Sequence, residues 1–169
     1  MTANFVANGH APLPHLGALR VQGADAISFL QGQLTQDFAL LKPDHARLAA
    51  WCSPQGRMLV SFVGFQLHDA DEPAVLLVLW RDRLEAVLKR LRMFVLRSKV
   101  QISDVSDTLA IHGLLGRTVA ELAPAVSHPW QRLHTAQADV VALWPAVQTA
   151  RALWVGSSGQ EPPAGDLLD

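Results

Sequence analysis

The chain has 169 residues, of which 50% are hydrophobic and 17% are charged, so it can bury a sizeable core and is not a disordered protein. Its formal net charge of −1 gives no overall attraction to nucleic acid or to an anionic membrane surface. The sequence contains no apolar run long enough to span a bilayer and no signal-peptide pattern. A single cysteine, Cys52, excludes an internal disulfide. We therefore expect a soluble protein of the reducing cytoplasm.

The N-terminal part of the chain predicts one strand and one helix. Residues 1–15 contain Gly and Pro and predict an irregular arm, whereas the alternating segment 17–23 predicts a strand. The stretch that follows, GADAISFLQGQLTQD, places Ile27, Leu30 and Leu34 on one apolar helix face. A glycine inside a helix costs about 1 kcal/mol relative to alanine. Gly32 therefore predicts either the end of this helix or a close backbone approach.

A hairpin, a buried strand and a long helix are predicted next. Segments 46–52 and 58–68 flank the sequence Ser-Pro-Gln-Gly, which places Pro54 and Gly56 at the second and fourth positions of a type I turn. The apolar run 74–80 predicts a fully buried strand. Residues 82–97 predict an amphipathic helix that begins with Asp82 at the N-cap.

The remainder of the chain predicts a smaller second unit. Residues 99–106 and 108–116 are typical of strands, 117–125 of a short helix, and three further strands follow within 131–156. The fold class is therefore α+β, with mainly antiparallel sheets and few helices. The predicted organisation is an irregular arm (1–15), a first unit (16–107), a second unit (108–156) and a linker (157–169).

The chemistry-bearing residues give weak signals on their own. The seven histidines show no metal-ligand spacing, so no metal site is predicted, and Cys52 is typical of a small buried hydrophobe. The segment 81–99 holds seven basic residues against two acidic ones, a local charge of +5. This pattern is typical of a solvated helix face, and it also allows docking of RNA phosphates or of an acidic protein. The docking candidates are Arg83, Lys89, Arg90, Arg92 and Arg97.

The order of four segments resembles a known family. They are LRVQGADAISFLQGQLTQD, AAWCSPQGRMLVSF, LKRLRMFVLRSKVQISDVS and HGLLG. Together they resemble the folate-binding YgfZ family of tRNA-modifying proteins, relatives of the glycine-cleavage T-protein (aminomethyltransferase) and of mitochondrial iron–sulfur assembly factors. The resemblance covers residues 16–116 and continues more weakly to 156. It implies an aminomethyltransferase-like folate-binding fold with a partial second ferredoxin-like unit, and tetrahydrofolate or a derivative bound between the two units.

The resemblance also implies a set of pocket residues and two departures. The positions that correspond to the family's folate cavity are Leu16, Leu48, Ser61, Val63, Phe65 and Trp80. The aminomethyltransferase has an Asp-Asp pair where this chain has Val60 and Ser61, so aminomethyl transfer is not expected. The sequence ends before the Lys-Gly-Cys-Tyr-x-Gly-Gln-Glu motif of the family would begin, and we expect it to be the N-terminal part of a longer protein.

By this resemblance the protein binds tetrahydrofolate and supports tRNA modification and the assembly or maintenance of iron–sulfur enzymes. The implied partners are folate and either tRNA or iron–sulfur client proteins. Binding to a membrane or to a specific DNA sequence is not expected. The residues leave open whether it is an enzyme. One alternative is a folate-dependent aminomethyl or methyl transferase, or a demethylase. A further alternative is a non-catalytic fragment with an incomplete pocket.

Overall fold

A computed structural model describes residues 8–68, 70–163 and 165–168. The chain divides into two compact units, one formed by Pro14–Asp107 and the other by Met1–Leu13 together with Thr108–Asp169. Each unit contains a five-stranded sheet in which all the paired strands are antiparallel. The predicted fold class, α+β with mainly antiparallel sheets and few helices, is confirmed. No helix in the described ranges is long and apolar enough to cross a bilayer.

The elements follow one another closely along the chain. The strands are β1 (Gly9–Pro12), β2 (Leu16–Gln22), β3 (Ala46–Cys52), β4 (Met58–Gln66), β5 (Ala74–Trp80), β6 (Gln101–Asp104), β7 (Leu109–Leu115), β8 (Arg132–His134), β9 (Ala138–Ala146) and β10 (Thr149–Ser157). The α-helices are α1 (Ala26–Gln33), α2 (Arg81–Arg92) and α3 (Arg117–Leu122). Short 3-10 turns lie at Phe38–Leu40 and Ser106–Thr108.

The sheet of the 14–107 unit has the strand order β3-β4-β5-β2-β6. Because side chains alternate along a strand, this sheet has two distinct faces. One face packs with α1 and α2 in a single apolar core, and we call it the helix-packed face. The buried residues of that core include Leu19, Val60, Phe62, Leu77 and Leu79 from the strands and Leu30, Leu84 and Leu91 from the helices.

The glycine that makes a close approach is Gly23 and not Gly32. Gly23 has φ +135°, and a Cβ added there would lie 2.1 Å from the carbonyl oxygen of Lys99. Two residues later, the Asp25 carboxylate accepts a hydrogen bond from the Lys99 backbone N–H at 2.7 Å. Gly32 lies inside α1, is exposed, and has no atom within 4 Å of an added Cβ. The helix ends one residue past Gly32, as the first alternative predicts to within a residue, whereas the second alternative, a close backbone approach at Gly32, is wrong.

The predicted hairpin of β3 and β4 is confirmed. Between the strands, the Gly56 N–H donates to the Ser53 carbonyl at 2.9 Å, and the Ser53 N–H donates to the Arg57 carbonyl at 2.8 Å. Gly56 has φ +80°, which a glycine adopts at no steric cost. Thr35, beyond α1, joins this hairpin, because its hydroxyl accepts from the Ala50 N–H at 2.9 Å.

Helix α2 is shorter than predicted. It ends at Arg92, whose guanidinium donates two hydrogen bonds to the Ile102 carbonyl, at 2.7 and 3.1 Å. The next residues turn tightly, with the Met93 N–H donating to the Arg90 carbonyl at 3.2 Å. At the other end Trp80 occupies the N-cap position and Asp82 lies within the first turn, so Asp82 is not the cap. Residues 94–97 consequently lie outside the helix.

The second unit has the strand order β1-β7-β10-β9-β8. Its segment from β7 to β10 forms the predicted β-α-β-β-β succession. The prediction of an irregular arm is wrong for residues 9–12, because β1 pairs along β7 with Gly9 opposite Leu115. The segment predicted as a linker is also partly structured, since Ser157 ends β10 and Leu167 forms a bridge with His10.

Two buried polar clusters lie within this second unit. The Nδ1 atoms of His10 and His112 are 3.3 Å apart, and burial, followed by the charge of His10, lowers the pKa of His112. In the β8–β9 hairpin the fully buried Arg132 guanidinium donates to the Asp139 carboxylate, with Nε at 2.8 Å. The His134 ring contacts the same carboxylate oxygen at 2.9 Å.

Candidate ligand-binding face

The six positions predicted to line a pocket share one face of the 14–107 sheet. The β-ladder sets Leu48 opposite Val63, and it sets Leu16 opposite Trp80. Val63 lies opposite Val78, two residues before Trp80 on β5, so the two pairs share a face. Ser61 and Phe65 flank Val63 at alternate positions of β4. We call this surface, opposite the helix-packed one, the candidate face.

The six side chains differ in how accessible they are. Leu48 is 50% exposed and Trp80 is 54% exposed, so both can touch a ligand directly. Leu16, Ser61 and Val63 are half-buried. Phe65 is fully buried, so its ring is not accessible to a ligand in this structure. The accessible part of the candidate face is therefore bounded by an indole and an aliphatic side chain.

Trp80 is held in place by its neighbours at the end of β5. Its ring lies 4.8 Å from the ring of His15, measured between centroids, with the two planes inclined by 36°. The adjoining Arg81 N–H donates to the His15 carbonyl at 2.9 Å. Because the ring packs on one side and is half exposed overall, it offers a fixed aromatic surface.

Val60 and Ser61 lie on opposite faces of the sheet. Val60 belongs to the core of the helix-packed face and is 6% exposed, whereas Ser61 lies on the candidate face opposite Ala50. Only the hydroxyl of Ser61 therefore stands where the resemblance places acidic chemistry. Cys52 is half-buried with a free thiol. Within the described ranges no three His, Cys, Asp or Glu side chains form a group that could hold a metal ion.

Arg20, which gave no signal in the sequence, also lies on the candidate face. Arg20 is opposite Leu76 on β5 and opposite Ser103 on β6, and Leu76 is in turn opposite Phe65. The guanidinium Nε is buried and has no hydrogen-bond partner among the described residues. The alternating pattern of 17–23 already indicated that Arg20 shares a face with Ala18, but the sheet register was needed to connect it to the other positions.

The five predicted docking cations make different contacts. Arg83 pairs with the neighbouring Asp82 at 3.5 Å, Arg92 is bound to the Ile102 carbonyl, and Arg97 lies beyond the helix. Lys89 and Arg90 remain together, and with Ala86, Met93 and Phe94 they line a shallow groove of about 460 Å³. We call this the α2 groove. Arg90 also lies over the Trp51 ring, 5.5 Å from its centroid.

The chain is similar in sequence to several named proteins and similar in fold to a solved structure. No protein-family model matches the chain. It is 32% identical over 100 residues to the tRNA-modifying protein YgfZ of Hamiltonella defensa. The aligned residues make up 59% of this chain and 28% of that protein. It is 33% identical over 105 residues to the mitochondrial iron–sulfur cluster assembly factor IBA57 homologue of Mycosarcoma maydis, covering 57% and 26% of the two chains. The chain is homologous to the YgfZ, IBA57 and aminomethyltransferase proteins.

These homologues are longer proteins. The aminomethyltransferase of Bacillus velezensis is 31% identical over 102 residues, which cover 60% of this chain and 27% of that enzyme. The chain thus spans only about a quarter of the length of these three relatives. Among solved structures, aminomethyltransferase T of the glycine cleavage system from Bartonella henselae matches with a TM-score of 0.70 at 16% identity. That match covers 88% of this chain and 42% of the enzyme, and it confirms the aminomethyltransferase-like fold.

Proposed function

We propose that the candidate face binds a tetrahydrofolate and that the protein supports tRNA modification and the assembly or maintenance of iron–sulfur enzymes. One observation carries the proposal: the sheet register brings all six positions inferred from the family resemblance onto a single face. The names of the homologues, tRNA-modifying protein and iron–sulfur cluster assembly factor, supply the process. A bound tetrahydrofolate would supply one-carbon chemistry.

The residues of the face fit a folate. A pterin is a flat heteroaromatic ring, and ligand sites for such rings are apolar with few polar groups. Trp80 offers a half-exposed aromatic surface, Leu48 and Val63 offer aliphatic surface, and Ser61 supplies a hydroxyl. In this arrangement Trp80 packs against the ring, and the aliphatic side chains exclude water from it.

The same face favours binding over acid–base catalysis. The strand residues that share it are Ala, Leu, Ser, Val, Phe, Trp, Arg and Gln, and none is a carboxylic acid. General acid–base chemistry needs a titratable group within hydrogen-bond reach of the reacting atom. A folate-dependent transferase or demethylase would therefore need an acid or base from another part of the protein, and we favour a carrier or binding role.

Replacing Trp80 by alanine is expected to weaken binding of 5-formyltetrahydrofolate about tenfold, because an aromatic pair contributes about 0.5–1.5 kcal/mol beyond its buried area. Isothermal calorimetry measures this without relying on tryptophan emission. The matched control is Trp144→Ala, since Trp144 is 63% exposed and lies in the other unit on β9. Equal affinities of the two variants would contradict the assignment of Trp80 to the site.

We further propose that the α2 groove docks an acidic, partly apolar segment of a client protein. Lys89 and Arg90 flank an apolar lining in which Met93 is 69% exposed and Phe94 is 46% exposed. RNA would favour cations spread along its backbone with several exposed aromatic rings for the bases, whereas this groove offers two neighbouring cations and the single ring of Phe94. The compact pairing of two cations with apolar surface instead matches a peptide that carries both carboxylates and an apolar anchor.

The double variant Lys89→Glu, Met93→Ser is expected to weaken binding of a fluorescent amphipathic peptide rich in Glu and Leu by at least tenfold, as measured by anisotropy. Lys89→Glu removes a cation that pairs with the peptide's carboxylates, and Met93→Ser removes apolar surface that contacts its leucines. Both side chains are exposed, so the fold should be unaffected. Arg83→Glu, on the same helix but paired with Asp82, should bind the peptide as the parent does. Tight, salt-sensitive binding of unfractionated tRNA through Lys89, with no peptide binding, would assign the groove to RNA and overturn this proposal.

A further inference from the structure

Two buried histidines face each other between β1 and β7. His10 on β1 is 4% exposed and His112 on β7 is 5% exposed, and their Nδ1 atoms lie 3.3 Å apart. The ladder sets Pro12 opposite His112, so the two histidines are diagonal neighbours on one face of the sheet. Both lie in the unit that contains β1 and β7, whereas the candidate face and the α2 groove lie in the 14–107 unit.

The backbone of His10 joins three segments of the chain. One edge of β1 pairs antiparallel with β7, and on the other edge the His10 N–H donates to the Asp166 carbonyl at 2.8 Å. The Leu168 N–H donates in turn to the His10 carbonyl at 2.7 Å. Segment 165–168 is thus held to the sheet by the residue whose side chain contacts His112. Displacing that side chain would loosen β1 and the segment together.

The contact between the two imidazole rings accommodates one proton. At an Nδ1–Nδ1 distance of 3.3 Å, one ring donates its N–H and the other accepts with a bare nitrogen, whether the pair is neutral or carries a single charge. Two imidazolium rings would set one N–H against the other and place two like charges side by side in a buried position. A second proton therefore breaks the contact.

The surroundings of the pair oppose this second charge. Burial lowers the pKa of His112, and the charge of His10 lowers it further. Glu161, on the segment after β10, raises the pKa of His112, but it is an exposed residue and its effect is the smallest of the three. His112 is therefore neutral at neutral pH. The other charged side chains on the packed elements are the exposed Arg117 and Glu121 of α3, the exposed Asp166, and Arg151 of β10, which is bound to the Trp144 carbonyl.

We infer that His10 and His112 form an acid-sensitive latch, which holds β1 and segment 165–168 on β7 while no more than one of the two rings is protonated. The second proton opens the latch, because the separated rings are hydrated and can both carry a charge. The pKa of His112 is lower in the latched state than in a hydrated histidine, which titrates near pH 6.5. The stability that the latch contributes is therefore complete above about pH 6.5. Below that pH its equilibrium constant falls about tenfold per pH unit, until His112 is protonated.

Hydrogen exchange followed by NMR tests the latch, since the His10 and Leu168 amides report its opening. In the parent protein we expect the protection factors of these two amides to fall about tenfold between about pH 7.5 and pH 5.5. The Leu153 amide, on β10 between β7 and β9, should keep its protection. The ring signals of His112 should titrate below about pH 6.5, over the same range in which the two amides lose protection.

The matched variants change one histidine each. His112→Asn replaces the titrating nitrogen by an amide that can donate to His10 or accept from it in either protonation state. We expect this variant to lose the pH dependence of the His10 and Leu168 amides. His128→Asn, which changes an exposed histidine of the same unit, should behave as the parent does.

Four results would overturn the latch. The first is an unchanged pH dependence in His112→Asn, and the second is constant protection of the His10 and Leu168 amides in the parent over this range. The third is an equal fall at Leu153, which would indicate acid unfolding of the whole sheet. The fourth is a His112 ring that titrates at or above about pH 6.5 in the parent, a measurement that decides the matter even if His112→Asn does not fold.

Discussion

Replacing Gly23 by alanine is expected to destabilise the 14–107 unit by roughly 3 kcal/mol or more. At φ +135° an L side chain is strained, and the new Cβ would lie 2.1 Å from the Lys99 carbonyl oxygen. That oxygen belongs to backbone, so it cannot rotate away as a side chain could. The expected result is a fall of more than about 10 °C in the melting temperature, followed by circular dichroism.

Gly32→Ala is the matched control from the same sequence segment. Gly32 lies within α1 on the exposed side, and an added Cβ meets no atom within 4 Å. Because alanine is the better helix former, this change should stabilise the protein by up to about 1 kcal/mol. A similar loss of stability in both variants would show that the Gly23 contact with Lys99 is not what holds the start of α1.

Replacing Asp139 by asparagine is expected to cost about 3–5 kcal/mol of unfolding free energy. The Arg132 guanidinium is fully buried and faces this carboxylate, so the neutral amide removes the negative charge that Asp139 places beside it. Chemical denaturation should show a lower midpoint with an unchanged slope. Asp107→Asn, which breaks the exposed pair with Arg81, is the control and should leave the midpoint nearly unchanged.

A double variant distinguishes the cost of breaking the pair from the value of the pair itself. Arg132→Leu combined with Asp139→Leu removes both charges from the β8–β9 hairpin. Buried ion pairs replaced by apolar residues are often neutral or more stable. We expect the double variant to recover most of the stability that Asp139→Asn loses. If it remains as unstable as the single variant, the pair has a favourable role that its apolar substitutes do not fill, such as its contact with His134.

Local sequence patterns predicted the elements whose formation depends on neighbouring residues. The β3–β4 hairpin followed from two apolar segments and the turn chemistry of Pro54 and Gly56, and β5 followed from an uninterrupted apolar run. Strand β1 was not predicted because its four residues contain Gly and Pro. They form a strand by pairing with β7, about a hundred residues away. The end of α2 was misplaced because it depends on the bond from Arg92 to Ile102.

The candidate site was predictable only in part for a similar reason. Alternation along one strand connects Ser61, Val63 and Phe65, but it says nothing about Leu48 or Leu16 on other strands. Those positions came from the family resemblance, and the ladder registers then placed them on the same face. Arg20 carries no signal in the sequence, because an arginine in an alternating strand is typically solvated. Its missing partner becomes visible only when the neighbouring strands are in place.

The pairing of β1 with β7 has a consequence for the order of events during translation. The 14–107 unit is contiguous, so all of its strands have been synthesised before β7 begins at Leu109. The other unit draws its edge strand from residues 9–12, which must wait on the nascent chain until a partner about a hundred residues later emerges. Contacts of such long sequence separation form slowly, and an unpaired strand is exposed to wrong partners meanwhile. The contiguous unit should therefore become protease-resistant on the ribosome first, while the N-terminal strand is still a client for chaperones.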